Sequence, residues 1–273
     1  MVIKLKEYIS DSSIRDKNIY FIFFLFIVMF SIFWFLFPIR FHFSDPRHYI
    51  RIAYNLFTQS SLGCLHSEGN SIFDHRLGLV YPVSLFYRLF GMNVISTHLW
   101  MLISYIIIMF TVWISLPDNK SKIIGIFLCC LSVVGLSSTR MLMPDIVTSA
   151  FMGLSYAILL KRHRTIKKKL FIIYPVLSVV CVFIAFLAKL TAYYIIPLFI
   201  YVILKDIKSK EFDFLKDRFY IPAFFTLLFL GIFYLVFSYL MWGNPLERFF
   251  VIQSYSGQHL WSFQNLDSIQ KIY

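Results

Sequence analysis

Two carboxylates stand where chemistry is easiest to arrange, at the mouths of helices beside long apolar segments. Asp45 lies in Ser44-Asp45-Pro46-Arg47-His48-Tyr49, and Asp145 follows Arg140-Met141-Leu142-Met143-Pro144. An Asp with an adjacent Pro is a helix-start signal, because the carboxylate caps orphan N–H groups and the proline ring presets the first turn. That role needs no catalysis, since a helix N-terminus favours negative charge in any case. The same placement also suits a general base acting on a bound hydroxyl. Lys189, in Ala188-Lys189-Leu190-Thr191, sits in a hairpin so tight that its ammonium must lie at or just inside a membrane surface. A charge there is costly and marks either a function or a snorkelling anchor. A membrane-lipid phosphate is a fitting partner at that depth, and Arg140 and Arg248 fall at the same face. Snorkelling accounts equally well for any one of the three taken singly.

Other chemistries leave no signature. The chain has no phosphate-cradling glycine loop and no Gly-x-Ser-x-Gly elbow. His42, His48, His66 and His75 share one polar loop with Asp45 and Asp74, so a divalent cation stays open there. Their spacings match no standard ligand pattern, and scattered loop histidines are more often solvated. Of the cysteines at 64, 129, 130 and 181, only Cys64 lies in a polar loop, which leaves no intramolecular disulfide framework.

The elements that position these residues are apolar. The 273-residue chain is 59% hydrophobic and 15% charged, with mean hydropathy +0.73. A soluble domain carries roughly 25% charged residues, so the composition points to an integral membrane protein. The net charge of +12 does not make a nucleic-acid binder, because the basic residues cluster between apolar segments rather than along one polar face.

A span needs about 20 apolar residues. Candidates are 19–37, 94–116, 123–138, 146–160, 170–188, 190–204 and 220–242, giving an all-α membrane protein of about seven spans. The first follows Lys4, Lys6, Arg15 and Lys17, is too long for a signal-peptide core, and reads as an uncleaved anchor. Segments 1–18, 117–122, 161–169 and 205–218 hold four, two, six and five of the 26 Lys and Arg residues. The positive-inside bias then puts the N-terminus in the cytoplasm and the tail after 242 outside. The run 161–169 decides this by itself, with anionic-lipid binding as its alternative use. One membrane domain, without repeats or linkers, is expected.

The loop 38–93 falls on the outer side. Within it, Tyr49, Ile52, Ala53, Leu56 and Phe57 recur at helical spacing while Arg47, His48, Arg51 and Asn55 face away. That pattern predicts an amphipathic helix in the membrane interface. A second apolar run, Leu79 to Phe90, ends at Gly91 and is too short to span.

In order along residues 19–255, short motifs resemble those of the membrane-embedded glycosyltransferases of the GT-C superfamily, which include protein O-mannosyltransferases and aminoarabinose–lipid A transferases. Asp45 and Tyr49 match an Asp and Tyr after the first span. Arg76-Leu77-Gly78-Leu79-Val80-Tyr81-Pro82 loosely matches an Arg-x-Pro-x-Tyr-Pro-like entry to the second interfacial helix. Arg140, Pro144 and Asp145 match an outer-loop Arg…Pro-Asp. Lys189-Leu190-Thr191 and Gly243-Asn244-Pro245-Leu246-Glu247-Arg248 stand where relatives carry Lys-Glu-Thr and Gly-Asp-Pro-x-x-Arg. Relatives usually have further spans, so the resemblance implies that this chain is the N-terminal part of a longer family fold.

The resemblance implies transfer of a sugar from a polyprenyl-phosphate donor to a glycan, lipid or protein acceptor at the outer face; residue usage fits a bacterial plasma membrane and leaves the endoplasmic reticulum open. Asp45 would be the base. Lys189, with Arg140 or Arg248, would hold the lipid phosphate. Asp145, Tyr49, Arg51, Arg76 and Tyr81 would line the cleft, although Tyr and Arg also serve as interfacial anchors. A catalytically silent, truncated membrane subunit and a polyprenyl-lipid transporter are the alternatives. The second is disfavoured by spans with few charges at their centres.

Overall fold

The computed structural model describes residues 2–36, 45–59, 73, 75–161, 173–208 and 219–251, with side chains from Ile19 onward. All regular structure among them is helical. The helices are α1 (Val2–Leu36), α2 (Asp45–Gln59), α3 (Leu77–Phe90), α4 (Val94–Ser115), α5 (Asn119–Leu131), α6 (Val133–Thr139), α7 (Pro144–Lys161), α8 (Ile173–Ala188), α9 (Ile196–Lys208) and α10 (Tyr220–Trp242), with a 3-10 turn over Leu190–Ile195 before α9.

The described residues of every segment expected to span are largely helical, but not all of these helices reach the length a bilayer demands. Four helical stretches are long and apolar enough to cross a membrane, within Ile19–Leu36, Val94–Ser115, Leu190–Lys208 and Tyr220–Trp242. The bent pair α5–α6 would make a fifth, while α8, at 16 residues, falls among the shorter apolar helices.

The segment 123–138 is not the continuous span expected from its hydropathy. It breaks at Ser132 with a 59° bend. Ser132 is extended, and its Oγ accepts from the Gly135 N–H at 3.0 Å, capping a fresh helix. Tyr105 of α4 donates its hydroxyl to the Cys129 carbonyl at 2.7 Å, a side chain inserted into the ladder. A Cβ on Gly135 would lie 2.0 Å from the Tyr105 oxygen, so only glycine lets the broken ends close around that ring.

Contacts along the helices fix their relative directions. Tyr20 and Phe23 of α1 meet Trp113 near the end of α4, and Phe30 stacks on Tyr105 at 4.9 Å, so the two helices run antiparallel. Ile108 and Ser149 line one cavity and Gly153 approaches Thr111, so α7 runs parallel to α4. In α8, Ser178 pairs with Ser155 of α7 at 2.9 Å and Lys189, just past its end, with Asp145, an antiparallel match. Tyr220 of α10 donates to Asp206 of α9 at 2.6 Å. The described ends leading into all four Lys- and Arg-rich segments therefore lie at one end of the bundle.

The opposite end is crossed by α3. Gly78 lies so close to α8 that a Cβ would meet the Ala188 nitrogen at 2.6 Å and the Ile184 carbonyl at 2.7 Å. Trp100 of α4 donates its indole N–H to the Gly78 carbonyl at 3.0 Å. At its other end, α3 joins α4 through Tyr87 and Thr97, 2.9 Å apart. Helix α2 packs on α3 through the face its sequence periodicity marks: Tyr49, Ile52, Ala53 and Leu56 are buried, while Arg47, His48 and Arg51 are exposed.

Candidate functional site

The candidate site is at the end crossed by α3. Asp45, in the first turn of α2, is part-buried, and Tyr49 lies one turn further on the same face. The Arg76 guanidinium stands over the Tyr49 ring, 5.6 Å from its centroid. Arg76 immediately precedes α3, and the glycine contact two residues on holds it beside the end of α8.

Arg248 arrives from the far end of the chain. Helix α10 stops at Gly243, whose φ of 71° is left-handed and favours glycine. The chain reverses there, and the following helical turn buries Arg248 to 2% exposure. Its guanidinium lies over the Phe186 ring of α8, 4.7 Å from the centroid. Desolvation pushes Arg248 down to about 10; the nearby Tyr234 hydroxyl opposes this, and the charge of Arg76 adds to it. Even so displaced, the group stays cationic at neutral pH. Nη1 of each arginine is buried without a hydrogen-bond partner.

Lys189 follows α8 one turn after Phe186. Its Nζ donates to Oδ1 of Asp145 at 2.5 Å, across to the first turn of α7. The two side chains are 29% and 63% exposed, so the pair stabilises the fold by no more than about 0.2–1 kcal/mol. Asp145 also borders a cavity of about 440 Å³, with Tyr105, Ser132, Gly135, Ser138 and Ser149 around it. That volume falls in the range of small-molecule pockets, roughly 300–1,000 Å³. Ile108, Val134, Met141, Met143 and Ile146 complete its wall, which includes both Ser132, where the helix breaks, and residues of α6 beyond the bend.

Of the residues singled out from sequence, Tyr49, Arg76 and Arg248 lie close together, with Asp45 one turn before Tyr49, while Lys189 pairs with Asp145 one turn past the Phe186 ring that Arg248 overlies. Arg140 caps α6 near the cavity, and burial lowers its pKa. Arg51 and Tyr81 are not brought in: Arg51 is exposed beside His48, 3.5 Å from its Nδ1, and Tyr81 is 49% exposed. Sequence reasoning paired Lys189 with a lipid phosphate, whereas the folded chain pairs it with Asp145.

Several aromatic partners were missed. His75 is buried at 2% exposure with its ring 4.4 Å from that of Trp242, and Phe186 and Tyr234 frame Arg248. Nothing in an apolar segment distinguishes such residues from lipid-facing ones before the fold is known. Among the described residues no three His, Cys, Asp or Glu side chains group to hold a metal. His42, Cys64, His66 and Asp74 lie outside the described residues.

Comparison with protein-family models, with curated proteins and with solved structures returned no match to this chain.

Proposed function

We propose that the protein is a membrane glycosyltransferase that moves one sugar from a polyprenyl-phosphate donor to an acceptor hydroxyl at the outer membrane face. The observation that supports this reading is that the Arg76–Arg248 pair, the Lys189–Asp145 pair and the α2 turn bearing Asp45 all lie at the end of the bundle crossed by α3. The ends leading into the Lys- and Arg-rich connections lie at the other end, which the positive-inside bias assigns to the cytoplasm. In this reading α2 and α3 lie in the outer interface, and the seven helical segments expected to span do so, the shorter ones with help from their neighbours.

The acceptor oxygen attacks the anomeric carbon, and its proton passes to the Asp45 carboxylate. The bond from that carbon to the phosphate oxygen breaks, and the lipid phosphate leaves with the electron pair. Lys189, Arg76 and Arg248 stabilise the departing charge, with Arg140 at the rim. Such preorganised charge stabilisation is usually the larger contribution, and general-base help supplies typically 10²–10⁴-fold. Asp145 orients Lys189, and the cavity beside it is large enough for a sugar, with the hydroxyls of Ser132, Ser138 and Ser149 in an otherwise largely apolar wall. The acceptor is a glycan, a lipid or a protein.

The test is a membrane assay offering radiolabelled polyprenyl-phosphate sugars to wild type and Asp45→Asn. Label transfer by wild type, falling at least about 100-fold in the variant, supports the assignment. Equal transfer by both would remove Asp45 from the reaction.

A further inference from the structure

The arginine pair carries more than a phosphate-binding role. Arg248 is 98% buried by its 2% exposure, Arg76 is part-buried beside it, and no carboxylate among the described residues pairs with either. Apart from each other, the described side chains in contact with them are uncharged. Tyr49 and Phe186 present ring faces, and Tyr234 stands near Arg248 with its own hydroxyl lacking a hydrogen-bond partner. The one described ion pair at this end, Lys189–Asp145, is already neutral as a unit. A guanidinium held out of water, as Arg248 is, opposes folding unless something compensates it, and a second like charge beside it adds to that. Two guanidiniums also offer parallel N–H groups to planar or tetrahedral oxyanions.

We propose that Arg76 and Arg248 form an anion site that selects a phosphate monoester dianion over a phosphodiester monoanion. Among the described residues no carboxylate compensates its two positive charges, and a dianion neutralises both where a monoanion neutralises one. Arg76, the part-exposed member, provides the approach from the surface. The inference rests on the transferase reading for the identity of the anion. A polyprenyl-phosphate sugar is a phosphodiester with one negative charge. After the bond to the sugar breaks, the released lipid phosphate is a monoester carrying two. Attraction at the pair therefore grows as the reaction proceeds, which is the condition for lowering a barrier rather than merely binding substrate. The same preference makes the released lipid phosphate an inhibitor that competes with the donor.

The experiment uses the purified full chain in dodecyl maltoside micelles at pH ~8.5, above the second phosphate ionisation near 6. It is titrated calorimetrically with dodecyl phosphate and with methyl dodecyl phosphate, which share a tail and differ by one charge. The monoester is expected to bind about tenfold tighter or more, the size of one added charge-assisted hydrogen bond. Arg76→Gln and Arg248→Gln should each bring the monoester down to the affinity of the diester. Equal affinities in wild type, binding of neither, or unchanged selectivity in the folded double variant would overturn the proposal. Should a variant fail to fold, the wild-type comparison decides alone. A wild type that discriminates the two esters but transfers no sugar keeps the site and loses the transferase. One that transfers sugar while binding both equally does the reverse.

Discussion

Lys189 and Asp145 meet at 2.5 Å although they belong to different helix ends, one just past α8 and the other in the first turn of α7. The contact closes the antiparallel α7–α8 hairpin at the end opposite its connecting segment. It also places a carboxylate between an ammonium and the cavity behind α6. A pair this exposed adds little to stability, so its main consequence lies in what it orients.

Removing the pair should therefore separate activity from stability. Lys189→Ala is expected to lower sugar transfer at least as much as Asp45→Asn. Asp145→Asn should lower it less, because the ammonium remains. Each should shift unfolding by about 1 kcal/mol or less. Transfer rates and thermal melts on the single and double variants, arranged as a double-mutant cycle, check this. A large loss of stability with transfer retained would make the pair structural.

Arg248 should show the opposite balance. A buried guanidinium without an ionic partner opposes folding, and replacing buried charge with a well-packed apolar side chain is often neutral or stabilising by about 1–4 kcal/mol. Arg248→Met is expected to melt no lower than wild type in the absence of phosphate ester. It should lose the stabilisation that dodecyl phosphate gives wild type. A melt with and without the ester reads both effects.

The bend between α5 and α6 depends on Gly135. Gly135→Ala puts a methyl 2.0 Å from the Tyr105 oxygen and 2.4 Å from its ring carbon, so the ring must leave the Cys129 carbonyl. Overpacking of this kind costs about 1–3 kcal/mol. The variant should melt lower and close the cavity, with transfer falling alongside. Ala at Gly231, where a Cβ meets nothing within 4 Å, is the control and should behave as wild type.

Tyr220→Phe tests the far end. It removes the 2.6 Å hydrogen bond to the buried Asp206 and should cost about 1–3 kcal/mol of stability. Phosphate-ester binding, measured by calorimetry, should be unchanged, since the site lies at the other end of the bundle. A change there would couple the two ends.

Much of this protein was legible before folding, because it depends on short-range pattern. Apolar runs mark α4 and α10 almost to the residue, since a chain in lipid satisfies its backbone only by forming helix, whereas α1 begins at Val2, well before its apolar run. The face that α2 buries follows from 3.6-residue spacing, and the stop after α3 from Gly91. What only the tertiary structure decided is which charges keep company. No local pattern can state that Lys189 finds Asp145, or that Arg76 and Arg248 come close with no carboxylate among the described residues paired to either. Those meetings follow from helix directions and from Gly78 letting α3 touch the backbone of α8. The break at Ser132 is of the same kind. Hydropathy sees one apolar run, and the hydroxyl of Tyr105, distant in sequence, turns it into two helices.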